Sequence, residues 1–121
     1  MEGTKAYKNK DYKKALDLYT NAIEKCPFLN IVYYNNRAAA YMMVLNYEKA
    51  IDDCKKVIRN DNKNVTAYKR IANCYFQLNK PENAKDILEK GLCSCPGDIE
   101  LQEKVLFFPY NKINKYFIIN R

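Results

Sequence analysis

A small residue recurs at Ala15, Ala50 and Ala84, at steps of 35 and then 34 residues, and each copy carries the same ordered surroundings. The first runs Tyr12-x-x-Ala15-x-x-x-Tyr19-x-x-Ala22 and reaches Pro27. The second runs Tyr47-x-x-Ala50-x-x-x-Cys54-x-x-Val57 and reaches Asn62, and the third runs Pro81-x-x-Ala84-x-x-x-Leu88-x-x-Gly91 and reaches Pro96. Steps of three and four put these residues on one face of an α-helix. The small residue lets a neighbouring helix approach, and the large one fills the space beside it. Upstream of the second and third copies lies a further apolar stripe, first Tyr34, Ala38 and Tyr41, then Tyr68, Ala72 and Tyr75. Each unit is therefore a helix hairpin whose apolar side needs the next hairpin to cover it. Three such units stack to bury one continuous core.

With only 3 Gly and 4 Pro, the chain lacks the punctuation that many short strands would need. We expect an all-α protein with helices over about 2–10, 12–25, 30–44, 47–60, 64–78 and 81–93. Pro81 suits the first turn of the last of these, where its missing N–H is not needed, and Pro27 and Pro96 end their helices. After Pro96, Asp98 reads as the N-cap of a capping helix with Ile99, Leu101, Val105 and Leu106 facing inward. Pro109 should stop or kink it. The expected domain covers 1–108, with repeats at about 1–29, 30–63 and 64–97 and the cap at 98–108. The remaining 109–121 segment is apolar at Ile113, Tyr116, Phe117, Ile118 and Ile119. Its role stays open between extending the cap, pairing with a partner, and disorder.

The net charge of +7 raises the question of nucleic acid. Its distribution answers against it: residues 1–28, 29–62, 63–96 and 97–121 carry +2, +1, +3 and +1. The excess is spread along the chain, which fits a mildly basic surface or a groove for acidic peptides. Residues Met1 to Lys5 show no apolar signal core, and no apolar run approaches the ~20 residues of a membrane span. A cytoplasmic protein with its five cysteines reduced is the expectation. Cys93-x-Cys95 lacks the spacing and the histidines of a zinc site, while Cys54 and Cys74 fall at helix-packing positions. One of Met42 and Met43 should fill the core. Asp52 and Asp53, flanked by Lys49, Lys55 and Lys56, read as a solvated ion-pair face. There is no His, phosphate loop, nucleophile elbow or metal triad, so neither catalysis nor a cofactor is expected.

The small–aromatic–small–Pro pattern at this period resembles the tetratricopeptide repeat (TPR) over roughly residues 3–96, with Gly3, Ala15, Tyr19, Ala22 and Pro27 at the marker positions of a first repeat. The resemblance implies a right-handed superhelical stack of three antiparallel hairpins with a capping helix. It also implies a concave face lined by the first helix of each hairpin. Groove positions would then be Thr4, Tyr7 and Lys8; Val32, Asn35, Asn36, Ala39 and Met43; and Thr66, Lys69, Arg70, Asn73 and Phe76.

The segment Tyr33-Tyr34-Asn35-Asn36-Arg37-Ala38-Ala39-Ala40-Tyr41 is similar to the second-repeat helix of TPR co-chaperones that grip the acidic C-terminal tails of Hsp70 and Hsp90. Those proteins use a carboxylate clamp of two lysines, two asparagines and an arginine, whose charge-assisted hydrogen bonds hold the terminal carboxylate. Carried onto this sequence, Asn36 matches the second-repeat asparagine and Arg70 the third-repeat arginine. Thr4 stands in place of the first-repeat asparagine and Thr66 in place of the third-repeat lysine. The remaining lysine position precedes Met1, which points to a fragment or a divergent repeat. Lys8, one turn beyond Thr4, and Lys69, three residues after Thr66, keep the groove basic. The expected peptide-binding set is Asn36, Arg70, Lys69, Asn73, Lys8, Thr4 and Thr66. Its partner would be an acidic or C-terminal protein segment, with a chaperone tail as one case. The alternative is a structural scaffold acting through its convex face or apolar tail, and the oligomeric state is left open.

Overall fold

The computed structural model describes residues 2–26 and 31–106, and among these every regular element is an α-helix. They are α1 (Glu2–Lys8), α2 (Tyr12–Lys25), α3 (Ile31–Met43), α4 (Tyr47–Asn60), α5 (Val65–Gln77), α6 (Pro81–Ser94) and α7 (Ile99–Leu106). Each packs on the next, and α3 also touches α5, so the first helices of the second and third hairpins lie side by side. The expectations placed on Pro27, on Pro109 and on the 109–121 tail fall outside the described residues.

The helix ends follow from named residues. Asp11, Asn46 and Asn64 cap α2, α4 and α5 by accepting from the N–H of Lys14, Lys49 and Ala67. Asp98 caps α7 by accepting from Leu101 N–H at 2.9 Å. Pro81 opens α6, where Lys80 offers no side-chain cap. Three expected helices run past their true ends because the chain turns left-handed at Lys10, Leu45 and Asn79, with φ of 63°, 64° and 58°. There the N–H of Asp11, Asn46 and Lys80 reaches back to the carbonyls of Ala6, Tyr41 and Tyr75, closing α1, α3 and α5 with the same motif. This is why α1 stops at Lys8 rather than residue 10, and α3 at Met43 rather than residue 44. Asn64 and Leu78, expected inside the fifth helix, are its caps.

The core follows the repeat. Ala15, Ala50 and Ala84 are fully buried, as are Tyr68, Cys54, Cys74 and Leu101. Met42 packs against this core while Met43 is exposed. Two glycines are dictated by the tyrosines they face. A Cβ on Gly3 would lie 2.6 Å from Tyr19 Cε1, and one on Gly91 would lie 2.8 Å from Tyr68 Cγ. Glycine lets these rings approach the helix closely.

Two expectations are corrected here. Ile99 and Leu106 do not face inward: each is 69% exposed, whereas Leu101 is buried and Val105 packs beside it. At ~100° per residue, Leu101 and Val105 share a face, while Ile99 and Leu106 lie ~160° and ~140° away from Leu101. Only one face of α7 meets α6.

The second correction concerns Asp53, which is only 2% exposed rather than solvated. Arg37 Nε and Nη2 each donate to its carboxylate at 2.7 Å, and Arg37 Nη1 donates to Thr20 Oγ1 at 3.3 Å. The guanidinium also lies 5.5 and 5.6 Å from the ring centroids of Tyr34 and Tyr41. The hydrogen-bonded Asp53 raises the Arg37 pKa above its ordinary value against the opposing effect of burial. One side chain thus joins α2, α3 and α4. Asp52, its neighbour, is exposed as expected.

Candidate functional site

On α5 the buried face carries Ala67, Tyr68, Ile71, Ala72 and Cys74. Thr66, Lys69, Arg70 and Asn73 fall between those positions, so the same periodicity that builds the core projects them away from it. Thr66 and Asn73 are exposed, and Lys69 and Arg70 are half-buried. Arg70 Nη1 crosses to α3 and donates to the Asn35 carbonyl at 2.9 Å. This carbonyl belongs to the peptide unit that joins Asn35 to Asn36, so Arg70 meets α3 beside the half-buried Asn36. Arg70 thus reaches the α3 backbone at the residue before Asn36. Next to them, Asn35 Oδ1 is buried and makes no hydrogen bond among the described residues.

Arg70 is also felt inside the core. Burial pushes the Cys54 thiol up to about 12 and the Cys74 thiol up to about 11, while the Arg70 guanidinium pulls both the other way. Both thiols stay protonated at neutral pH and act as small apolar fillers. Cys93 and Cys95 are free, and among the described residues no group of His, Cys, Asp or Glu could hold a metal ion.

The other expected residues are placed less centrally. Lys69 turns toward α7, where Nζ pairs with Glu100 Oε2 at 2.7 Å. On α1, Thr4 Oγ1 lies 3.2 Å from Tyr19 Oη, a contact within the first hairpin. Lys8 ends α1 and is exposed, and beside it the half-buried Tyr7 meets Tyr12 edge-on at 5.3 Å between centroids. Among the described residues no hydrogen bond joins Thr4 or Lys8 to Asn36 or Arg70. Two surface cavities of about 290 and 340 Å³ lie on α1 and α2, share Glu2 and Leu18 in their walls, and contain none of the seven expected residues.

Sequence reasoning missed Glu100 as a partner of Lys69, since 31 residues separate them and neither belongs to a repeat marker. It also missed the burial of Asp53. That signal was present: Asp53 lies three residues after Ala50 and four before Val57, on the face that the repeat buries.

Family models described as tetratricopeptide repeat match residues 31–64 and 65–96. Among curated proteins, the chain is 39% identical over 87 residues to the Hsp70/Hsp90 co-chaperone CNS1 of Saccharomyces cerevisiae, covering 69% of this chain and 23% of that protein. The chain spans about a quarter of the length of the curated relatives it matches first. The crystal structure of the Sgt2 TPR domain from Aspergillus fumigatus superposes with a TM-score of 0.77 at 32% identity, covering 95% of this chain and 76% of that one. The first TPR of Spaghetti (RPAP3), solved with the HSP90 peptide SRMEEVD, gives 0.77 at 28% identity over 93% of this chain and 88% of that one. Among the described residues no helix is long and apolar enough to cross a membrane. Two consecutive repeat matches spanning more than half of the chain, on helices paired and stacked as the repeat requires, place it in the tetratricopeptide-repeat family.

Proposed function

We propose that the face shared by α3 and α5 takes the extended C-terminal end of an acidic protein segment, so that the chain is a protein-interaction module with no chemistry of its own. The observation that carries this is the Arg70 to Asn35 hydrogen bond, which holds a cation against α3 at the residue before Asn36. A guanidinium with donors left over, next to a primary amide, suits a carboxylate. A chaperone C-terminal tail is the favoured ligand, because the structural relative solved with SRMEEVD aligns over most of this chain. An Hsp70/Hsp90 co-chaperone role in the cytoplasm follows from that ligand. We take residues 1–108 as the extent of the module.

The two threonines set how the site departs from a full clamp. Thr4 and Thr66 carry no charge, and the Thr4 hydroxyl is already engaged by Tyr19. A hydrogen bond to a charged group contributes about 1.5–3 kcal/mol, so each missing contact weakens binding by roughly 10- to 150-fold unless replaced. Lys8, Lys69 and Asn73 are the residues available to replace them. The reading therefore expects weaker grip than a full clamp, with Arg70 as the dominant contact.

Calorimetry with SRMEEVD tests it. Amidating the peptide C-terminus or making Arg70→Ala should each weaken binding at least tenfold. Binding indifferent to both changes would overturn the proposal.

A further inference from the structure

The Lys69–Glu100 pair carries an acidic side chain of this chain to the cation-bearing face of α5. Lys69 precedes Arg70, and its ammonium lies 2.7 Å from a carboxylate oxygen of Glu100, the second residue of α7. Lys69 is 26% exposed and Glu100 is 56% exposed, so both remain within reach of solvent and of a docking segment. Glu100 makes no other ion pair among the described residues, whereas Lys69 is the cation that would compensate for Thr66. The arrangement places on Lys69 the same chemical group that an acidic ligand would bring.

We propose that Glu100 is a specificity-determining residue that partly neutralises Lys69 and weakens the preference of the face for acidic side chains upstream of the ligand's terminal carboxylate. This rests on the peptide-binding reading above. An incoming glutamate must displace Glu100 before it gains Lys69, so little net attraction remains for it. A neutral side chain at the same place leaves the Lys69–Glu100 pair intact and loses little by comparison. The terminal carboxylate, read by Arg70, is unaffected. The face then selects for a free C-terminus more than for a run of acids. Because the pair is partly exposed, the effect is modest: about two- to fivefold in affinity, smaller at high salt.

The test compares two peptides with free carboxyl ends, SRMEEVD and its neutral counterpart SRMQQVD, by calorimetry at low salt. The wild-type preference for the acidic peptide should be about twofold or less. In Glu100→Gln that preference should rise by about two- to fivefold, and 0.5 M salt should erase the difference. In Lys69→Gln the further change Glu100→Gln should add nothing, which ties the effect to this pair. Glu103→Gln, which removes an exposed acid one turn away in the same helix, should leave the preference at the wild-type value. Circular dichroism checks that each variant keeps its helix content. An unchanged preference in Glu100→Gln, or an equal change in Glu103→Gln, overturns the inference while Arg70 sensitivity still supports the peptide-binding reading. Binding of neither peptide to the wild type or to Glu100→Gln overturns both.

Discussion

Replacing Asp53 by asparagine should destabilise this domain far more than the same change at Asp52, although the two carboxylates are adjacent in sequence. Asp53 receives two 2.7 Å hydrogen bonds from Arg37 and is 2% exposed, and Arg37 is 14% exposed. Asparagine keeps the shape and one acceptor oxygen but leaves the guanidinium without its counter-charge. Breaking one side of a buried ion pair costs about 3–5 kcal/mol. Arg37 keeps Thr20 and two tyrosine rings and reaches some solvent, so the lower figure, about 3 kcal/mol, is expected. Domains of this size are stable by about 5–15 kcal/mol, so the loss is a large share. At roughly 4 °C per kcal/mol for a chain of this length, the melting temperature should fall by about 12 °C. Urea unfolding followed by helical circular dichroism measures it, with an unchanged slope showing that stability rather than compactness has moved. Asp52→Asn should stay within about 0.5 kcal/mol of the wild type. The double change Arg37→Met with Asp53→Leu should recover much of the loss, since a buried pair replaced whole by apolar groups is near neutral. An Asp53→Asn protein as stable as Asp52→Asn would refute the reasoning.

Other consequences are as specific. Leu45→Gly should stabilise the fold by about 1 kcal/mol, because Leu45 is held at φ 64° while 70% exposed, so strain is relieved and little burial is lost; thermal melting checks it. Gly91→Ala should cost about 1–3 kcal/mol by forcing a methyl group into the Tyr68 ring, whereas Gly97→Ala, whose added Cβ would meet nothing within 4 Å, should be neutral in the same assay. A thiol reagent should modify exposed Cys93 quickly and Cys54 and Cys74 only as the protein unfolds. Stability should be insensitive to these two thiols below about pH 7.5, where they are protonated in both states. It should then fall as pH rises, until about 11 for Cys74 and about 12 for Cys54, by up to about 1.4 kcal/mol per unit for each thiol, since the unfolded thiol ionises before the folded one.

Much of this fold was legible because its cause is periodic. The alanines at 15, 50 and 84 report which face of the second helix in each hairpin is buried, and α2 and α4 begin and end where the spacing predicted. Chain reversals were less legible, since Lys10 and Leu45 adopt the left-handed conformation without the glycine that would advertise it. The same limit applied to polar pairs. A burial pattern tells that Asp53 lies inward, but only the stacking of α3 on α4 tells that Arg37 reaches it. At the candidate site, the α5 stripe of Thr66, Lys69, Arg70 and Asn73 could be read from helix spacing alone. That Arg70 would turn to α3 and Lys69 to α7 depended on two neighbouring helices and their exact packing distances, which no local pattern encodes.

The most direct test of a binding face between α3 and α5 is to follow backbone amide shifts by NMR while titrating SRMEEVD into the protein. Shifts should concentrate at Asn35, Asn36, Lys69, Arg70 and Asn73, with α4 and α6 little changed. Shifts gathered instead around Glu2, Leu18 and Ala22 on the first hairpin, or along α4 and α6, would contradict it.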